Sequence, residues 1–128
     1  MPCSLKIDSG SIRLVYPHGG VLALEGPAEL DIVTSERAVL KSGRLAAYIP
    51  DGAEGFCVST PTAEIVDLGT EFGLTVDAEG RAVVDVFDGE VELTPSTSGA
   101  ESTHVLSGLA CGIDESGSAQ SESVRLDR

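Results

Sequence analysis

Thr60 to Asp77 reads T-P-T-A-E-I-V-D-L-G-T-E-F-G-L-T-V-D, and its alternation decides the fold class. Val66, Leu68, Thr70, Phe72, Leu74 and Val76 fall on every second position, with Asp67, Gly69, Glu71, Gly73 and Thr75 between them. Successive strand side chains point to opposite faces, so the pattern predicts a ribbon with one apolar face and one polar or side-chain-free face. Run straight from Glu64 to Asp77, the ribbon would measure about 46 Å at ~3.3 Å per residue, too long for a small domain. Gly69 is the expected bend or bulge. Asp67 and Glu71 are expected on the solvent side.

Outward from this stretch the punctuation stays that of strands. Phe72 to Asp77 and Arg81 to Phe87 form a predicted hairpin around Asp77-Ala78-Glu79-Gly80. Asp88-Gly89 turns the chain into Glu90 to Thr94, Pro95 to Thr103 is a polar loop, and His104 to Ile113 reads as one last strand. Upstream, Ser9 to Tyr16, Val21 to Glu25 and Glu29 to Thr34 alternate, separated by Pro17-His18-Gly19-Gly20 and by a break at Gly26-Pro27. Pro27 to Ile49 admits two readings. Pro27 suits a helix N-terminus, with Leu30, Val33 and Leu40 at roughly helical spacing. Period two resumes at Arg44 to Ile49 after Ser42-Gly43, which favours strands. Gly55 to Thr60 adds a short one, ended by Pro61. The expectation is an all-β single domain of about ten short strands, a β-sandwich or β-roll. It comprises a lead-in at 1–8, the domain at 9–113 and a Ser/Gly-rich, mobile tail at 114–128.

At 128 residues the chain is long enough for one core without metal or disulfide. It has three Phe, two Tyr and no Trp, so the core must be Val, Leu, Ile and Ala. A net charge of −13 repels phosphate backbones and anionic membranes, which excludes nucleic acid as a partner class. The acids either keep an isolated domain soluble or favour a basic partner or divalent cations. Cys3, Cys57 and Cys111 lack zinc-site spacing. Cys57 and Cys111 lie in strand-like runs, as buried thiols or as a bridged pair. No apolar run reaches the ~20 residues of a membrane span.

Catalytic apparatus is hard to find. His18 and His104 are far apart and read as exposed residues. The clustered His and Glu of a cupin are missing, as are a nucleophile turn and a phosphate-binding Gly-rich loop. Asp67, Glu71, Asp85, Asp88 and Glu90 could gather at one sheet edge as a calcium site or a carboxylate pair, or form a solvated face. No cofactor is expected, and the chain reads as a non-enzyme.

L-G-T-E-F at Leu68 to Phe72, with V-D-V-F-D-G-E-V at Val84 to Val91 and the Ser107-Gly108 turn, resembles the core of the FecR domain family. The Gly20 and Gly43 turns and L-E-G-P-A-E-L at Leu24 to Leu30 extend the resemblance over roughly 9–113, in a variant similar to large bacterial FecR-domain proteins with a concanavalin-like domain. The family-motif residues are Asp67, Leu68, Gly69, Thr70, Phe72, Val86, Gly89 and Val91, in either a fold-maintaining or a partner-contacting role. The resemblance implies a periplasmic sensor or interaction domain of an inner-membrane-anchored regulator of an extracytoplasmic-function sigma factor. The anchor would lie upstream. The implied partner is a cell-envelope protein, such as the signalling domain of an outer-membrane receptor, or a glycan. The alternative is a carbohydrate- or calcium-binding structural domain of the cell envelope.

Overall fold

A bent three-stranded ribbon organises the architecture. The structure, a computed structural model, describes residues 3–50, 52, 53, 55–96, 101–113 and 119–123. Strands β1 (Cys3–Ile7) and β2 (Ser11–Val15) lie end to end along β3 (Val21–Thr34), pairing Cys3 with Ile32 and Val15 with Val21 at the extremes. On its other side β3 pairs antiparallel with β4 (Arg37–Tyr48). The ribbon turns a corner at Gly26-Pro27, a cis peptide, opposite Ser42-Gly43.

The corner follows from the sequence. Ala38 and Leu40 point inward before Gly43, but Leu45 and Ala47 after it, so β4 changes phase by one residue there. Residues 26–28 of β3 stand opposite Gly43 alone, a bulge-like irregularity that bends the pair. Gly43 adopts φ +113°, and a Cβ on it would lie 2.4 Å from that of Ala28, so the two strands pack backbone to backbone. The Gly26-Pro27 break is corrected, and of the two readings of Pro27 to Ile49 the favoured one, strands, is what forms: β3 and β4 are continuous strands with an irregular register.

Because β4 bends, its two halves feed different layers. Residues 43–48 pair with β7 (Glu71–Val76), followed by β8 (Ala82–Asp88), β11 (Leu109–Ile113) and β12 (Ala119–Ser123). Residues 37–39 pair in parallel with β5 (Cys57–Ser59), followed by β6 (Ala63–Asp67), β9 (Glu90–Pro95) and β10 (Thr103–Leu106). Among the described residues the result is a 12-stranded sheet folded on itself, an all-β domain with corner strands shared between two layers. Leu22, Leu24, Leu45, Phe72, Leu74 and Val84 of the first layer close on Leu30, Leu40, Val58, Ile65, Val91 and Leu93 of the second, each no more than 1% exposed. Each buried aliphatic side chain contributes about 1.5–3 kcal/mol of transfer free energy, which is how a core with so few aromatics suffices.

The stretch from Thr60 to Asp77 is two strands, one in each layer. Ala63, Ile65 and Asp67 point inward on β6, then Thr70 just before β7 and Phe72, Leu74 and Val76 on it. The phase flips at Gly69, which takes φ +91°. Leu68 is therefore turned out at 40% exposure, while Asp67 is fully buried at 0%. The expectation that Asp67 faces solvent is corrected, since uniform alternation cannot be carried through a bend.

The hairpin at Asp77–Gly80 forms as expected. His104 to Ile113 is two strands around Ser107-Gly108. The lead-in carries β1, and the tail carries β12, paired with β11 from Leu109↔Ser123 to Ile113↔Ala119. Val124 and Leu126 lie outside the described residues.

Candidate functional site

The chain crosses between the layers twice in close succession, at Leu68–Thr70 and at Asp88–Glu90, and the two crossings stack. A Cβ on Gly89, itself at φ +91°, would sit 2.1 Å from the Gly69 carbonyl oxygen. Gly89 permits that approach because it has no Cβ, and Gly69 brings its carbonyl there through a left-handed φ of +91°. The surrounding polar groups are matched around it. The Thr70 hydroxyl donates to the Glu90 carbonyl (2.7 Å), and the Leu68 amide donates to the same oxygen (3.1 Å). The Gly69 amide donates to Asp67 Oδ2 (3.0 Å), closing an Asx turn inside the protein. The Asp67 amide donates to the Phe56 carbonyl and the Asp67 carbonyl accepts from Gly55, both at 2.9 Å. Thr70 and Ile49 exchange backbone bonds (2.8 and 3.3 Å), and Ser107 Oγ accepts from the Gly89 amide (2.8 Å) and donates to its carbonyl (3.1 Å).

Of the eight motif residues, Asp67, Gly69, Thr70 and Gly89 build this junction, and Phe72, Val86 and Val91 fill the core beside it. Leu68 alone presents its side chain to solvent. The carboxylates considered as a cluster do not converge in a cleft. Asp67 is buried at the junction, Asp85 is on the outer face of the first layer, Asp88 and Glu71 are register partners at its rim, and Glu90 faces outward from the second layer. Among the described residues no group of three or more His, Cys, Asp or Glu is arranged to hold a metal ion.

The two outer faces differ in chemistry. On the second layer Lys41 meets Asp31 (3.3 Å) and Glu29 (3.7 Å), and Arg37 meets Glu64 (3.7 Å). Hydrogen bonds from Ser4 and then Lys41 hold the Asp31 carboxyl below its ordinary range. His104 is bracketed by carboxylates, with Nδ1 on Glu90 and Nε2 3.4 Å from Glu92, and the Glu90 contact above all raises its pKa. Burial and a 3.0 Å hydrogen bond to Glu64 push the Cys57 thiol up to about 11. Cys57 and Cys111 are both buried thiols, so the bridged alternative is not adopted.

On the first layer, register partners run in rows across β2, β3, β4, β7 and β8. One row is Arg13, Ala23, Ala46, Gly73 and Asp85, and the next is Val15, Val21, Tyr48, Glu71 and Asp88. Val15 is 69% exposed and Tyr48 51%. A register shift on β8 lets the Phe87 ring lie over Gly73, 3.4 Å from where a Cβ would stand. Burial raises the Asp85 pKa against the opposing charge of Arg44.

Two further features escaped the sequence. His18, expected to be exposed, is half-buried. Its Nε2 donates to the Ser35 carbonyl (3.0 Å) and its Nδ1 accepts from the Gly20 amide (3.0 Å). Its ring stacks on Tyr16 at 5.0 Å, so it ties the β3–β4 tip to the start of β3. An open groove of about 600 Å³ lies at the corner, lined by Glu25, Gly26, Pro27, Glu29, Lys41, Ser42, Gly43, Arg44 and residues 75–78. Only the glycines, as turn signals, hinted at it.

This bent-ribbon sandwich matches two crystal structures of candidate anti-sigma factors from Parabacteroides distasonis. One, at 2.50 Å, aligns with TM-score 0.79 and 17% identity over 97% of this chain and 61% of that one. The other, at 1.65 Å, aligns with TM-score 0.80 and 16% identity over 95% of this chain and 60% of that one. At such identity the likeness is one of fold, and the chain spans about three-fifths of their length. No curated protein matches the sequence. The model of the FecR protein family matches residues 6–92, and the chain belongs to that family.

Proposed function

We propose that this chain is a non-enzymatic, extracytoplasmic sensor or interaction domain of a FecR-type regulator of an extracytoplasmic-function sigma factor. The observation that carries the reading is the family match across both crossovers, with motif residues spent on a rigid junction instead of a catalytic cleft. A domain of this kind acts by presenting a stable surface to a protein partner in the cell envelope. The free edge of β2 is suited to that. The Tyr16 amide donates to Gly20 and Gly26 donates to Gly10, which sets residues 10, 12, 14 and 16 as those bonded to β3. Antiparallel pairing alternates, so the amides and carbonyls of Ser11, Arg13 and Val15 point away from the sheet and can accept a strand.

Arg13→Pro removes the central outward amide without touching the β3 ladder. Placed in the intact regulator, it is expected to leave the domain folded and abolish signal-dependent transcription from a sigma-factor-controlled reporter. Unchanged induction by a folded R13P variant would count against edge recognition, and a reporter indifferent to deletion of the whole domain would count against the sensor role itself. The carbohydrate or calcium alternative predicts a thermal shift with calcium or glycans.

A further inference from the structure

On the first layer the described ion pairs lie at the β7–β8 hairpin, where Arg81 meets Asp77 and Glu79, whereas on the outer face of the second Lys41, Arg37 and His104 pair along the strands. The middle row of the first layer's outer face reads Arg13, Ala23, Ala46, Gly73, Asp85 across five consecutive strands. Across these five strands the row runs from a cation on β2 to an anion on β8 with small residues between, and it continues to Ala110 on β11. Apolar side chains flank it: Val15, Tyr48 and the Phe87 ring on one side and the exposed Val83 on the other. An ordinary solvent face carries mixed charges, whereas an exposed apolar patch with small central residues permits another flat surface to approach closely.

We propose that this face is the interface of a homodimer, formed by a second copy of the same chain about a two-fold axis that runs along β4 in the plane between the two sheets. Such an axis reverses strand order and keeps each row in place. Arg13 of one copy then stands over Asp85 of the other, twice. Ala23 meets Gly73, Ala46 meets Ala46, and Tyr48 meets Tyr48. Among the described residues Arg13 has no salt bridge of its own, so the pairing supplies one. Arg44 meets its own copy, with Glu25 beside it as register partner, so the dimer gains nothing there.

Sheets packed this way sit about 10 Å apart and rotated by about 30°, which the twist of each sheet accommodates. The net charge of −13 opposes self-association, but most paired acids lie on the far face. At ~0.15 M salt, where the Debye length is about 8 Å, that repulsion is largely screened. Five strands about 4.8 Å apart and about five residues long make a patch of roughly 20 by 17 Å on each copy, below the size of a stable specific interface and in the range of weak, transient contacts. The dimer is therefore concentration-dependent. The proposal does not rest on the signalling role.

Sedimentation equilibrium at ~0.15 M salt, from about 10 to about 500 µM, tests it. The chain is expected to pass from monomer to dimer within that range. Ala46→Arg puts a cation on the axis at an already exposed position, and is expected to leave a monomer at every concentration with unchanged thermal unfolding. Arg13→Asp and Asp85→Arg are each expected to weaken the dimer about tenfold, and the double exchange to restore it. Should A46R disturb folding, Ala23→Glu serves in its place. A wild-type chain that stays monomeric throughout overturns the proposal and leaves the face to another occupant. A dimer that survives A46R, or charge exchanges without effect, overturns it equally.

Discussion

Gly89 and Gly69 are held so close that a single methyl group on the first would lie 2.1 Å from the carbonyl oxygen of the second. The contact is between backbones, so no side chain can rotate away. Gly89→Ala adds this overlap to the cost of φ +91° for an L-residue. Gly108 supplies the control, with φ +83° and nothing within 4 Å of a built Cβ. Gly108→Ala is expected to cost about 1–2 kcal/mol, from backbone strain alone. Gly89→Ala is expected to cost about 3 kcal/mol or more. Urea unfolding with matched slopes separates the two, and equal losses would mean that the crossings can move apart.

The Thr70 hydroxyl is the polar half of the same junction. It is buried and donates to the Glu90 carbonyl at 2.7 Å, an oxygen shared with the Leu68 amide. Thr70→Val keeps the shape and removes the donor, and is expected to cost about 1–2 kcal/mol. Thr70→Ser is expected to recover more than half of that. If serine were no better than valine, the γ-methyl packing and not the hydrogen bond would be the reason for threonine here.

How far these features were legible depends on whether they are local. Strand class, the Asp77–Gly80 hairpin and the Gly69 bend are written in alternation and turn residues, and all were readable. The burial of Asp67 was not. Alternation places it opposite Val66 and Leu68, but the flip at Gly69 sends Thr70 and Phe72 inward and carries Asp67 in with Ile65. Which side of a bend stays in phase is decided by the partner strands, β5 and β9 for one half and β4 and β8 for the other. The motif residues were correctly singled out, yet the reason for Gly89 needed a contact twenty residues away. Likewise the row from Arg13 to Asp85 draws on five strands, and no single window of sequence contains it.

The cysteines give a chemical check on the layers. Cys3 is exposed, whereas Cys57 and Cys111 are buried, and Cys57 is held protonated by its surroundings with a pKa of about 11. A thiolate is the reactive form, so near pH 8 only Cys3 should react quickly with a thiol reagent. We expect one fast equivalent in the native protein and all three in denaturant. Fast labelling of Cys57 would indicate that Glu64 does not cover it.

His104 makes the domain's pH response calculable in sign. Its hydrogen bond to Glu90, and secondarily the Glu92 charge, raise its folded-state pKa above the ordinary 6.5. A raised histidine binds its proton more tightly in the folded than in the unfolded state. Its stabilising contribution is therefore complete below about pH 6.5 and is lost as pH rises through the folded pKa. NMR titration of the imidazole should show a midpoint above 6.5. Glu90→Gln should lower that midpoint more than Glu92→Gln, because the Nδ1 contact is the closer one. The site is exposed, so salt should diminish the shift. Amide exchange on β10, which pairs with β9 through His104↔Glu92, should quicken over the same pH interval beyond the intrinsic rise of exchange with hydroxide, and His104→Gln should remove that excess. A midpoint at or below 6.5 would show that the two carboxylates do not hold the ring in solution, and β10 would then owe its place to Val105 packing and the Ser107–Gly89 clasp alone.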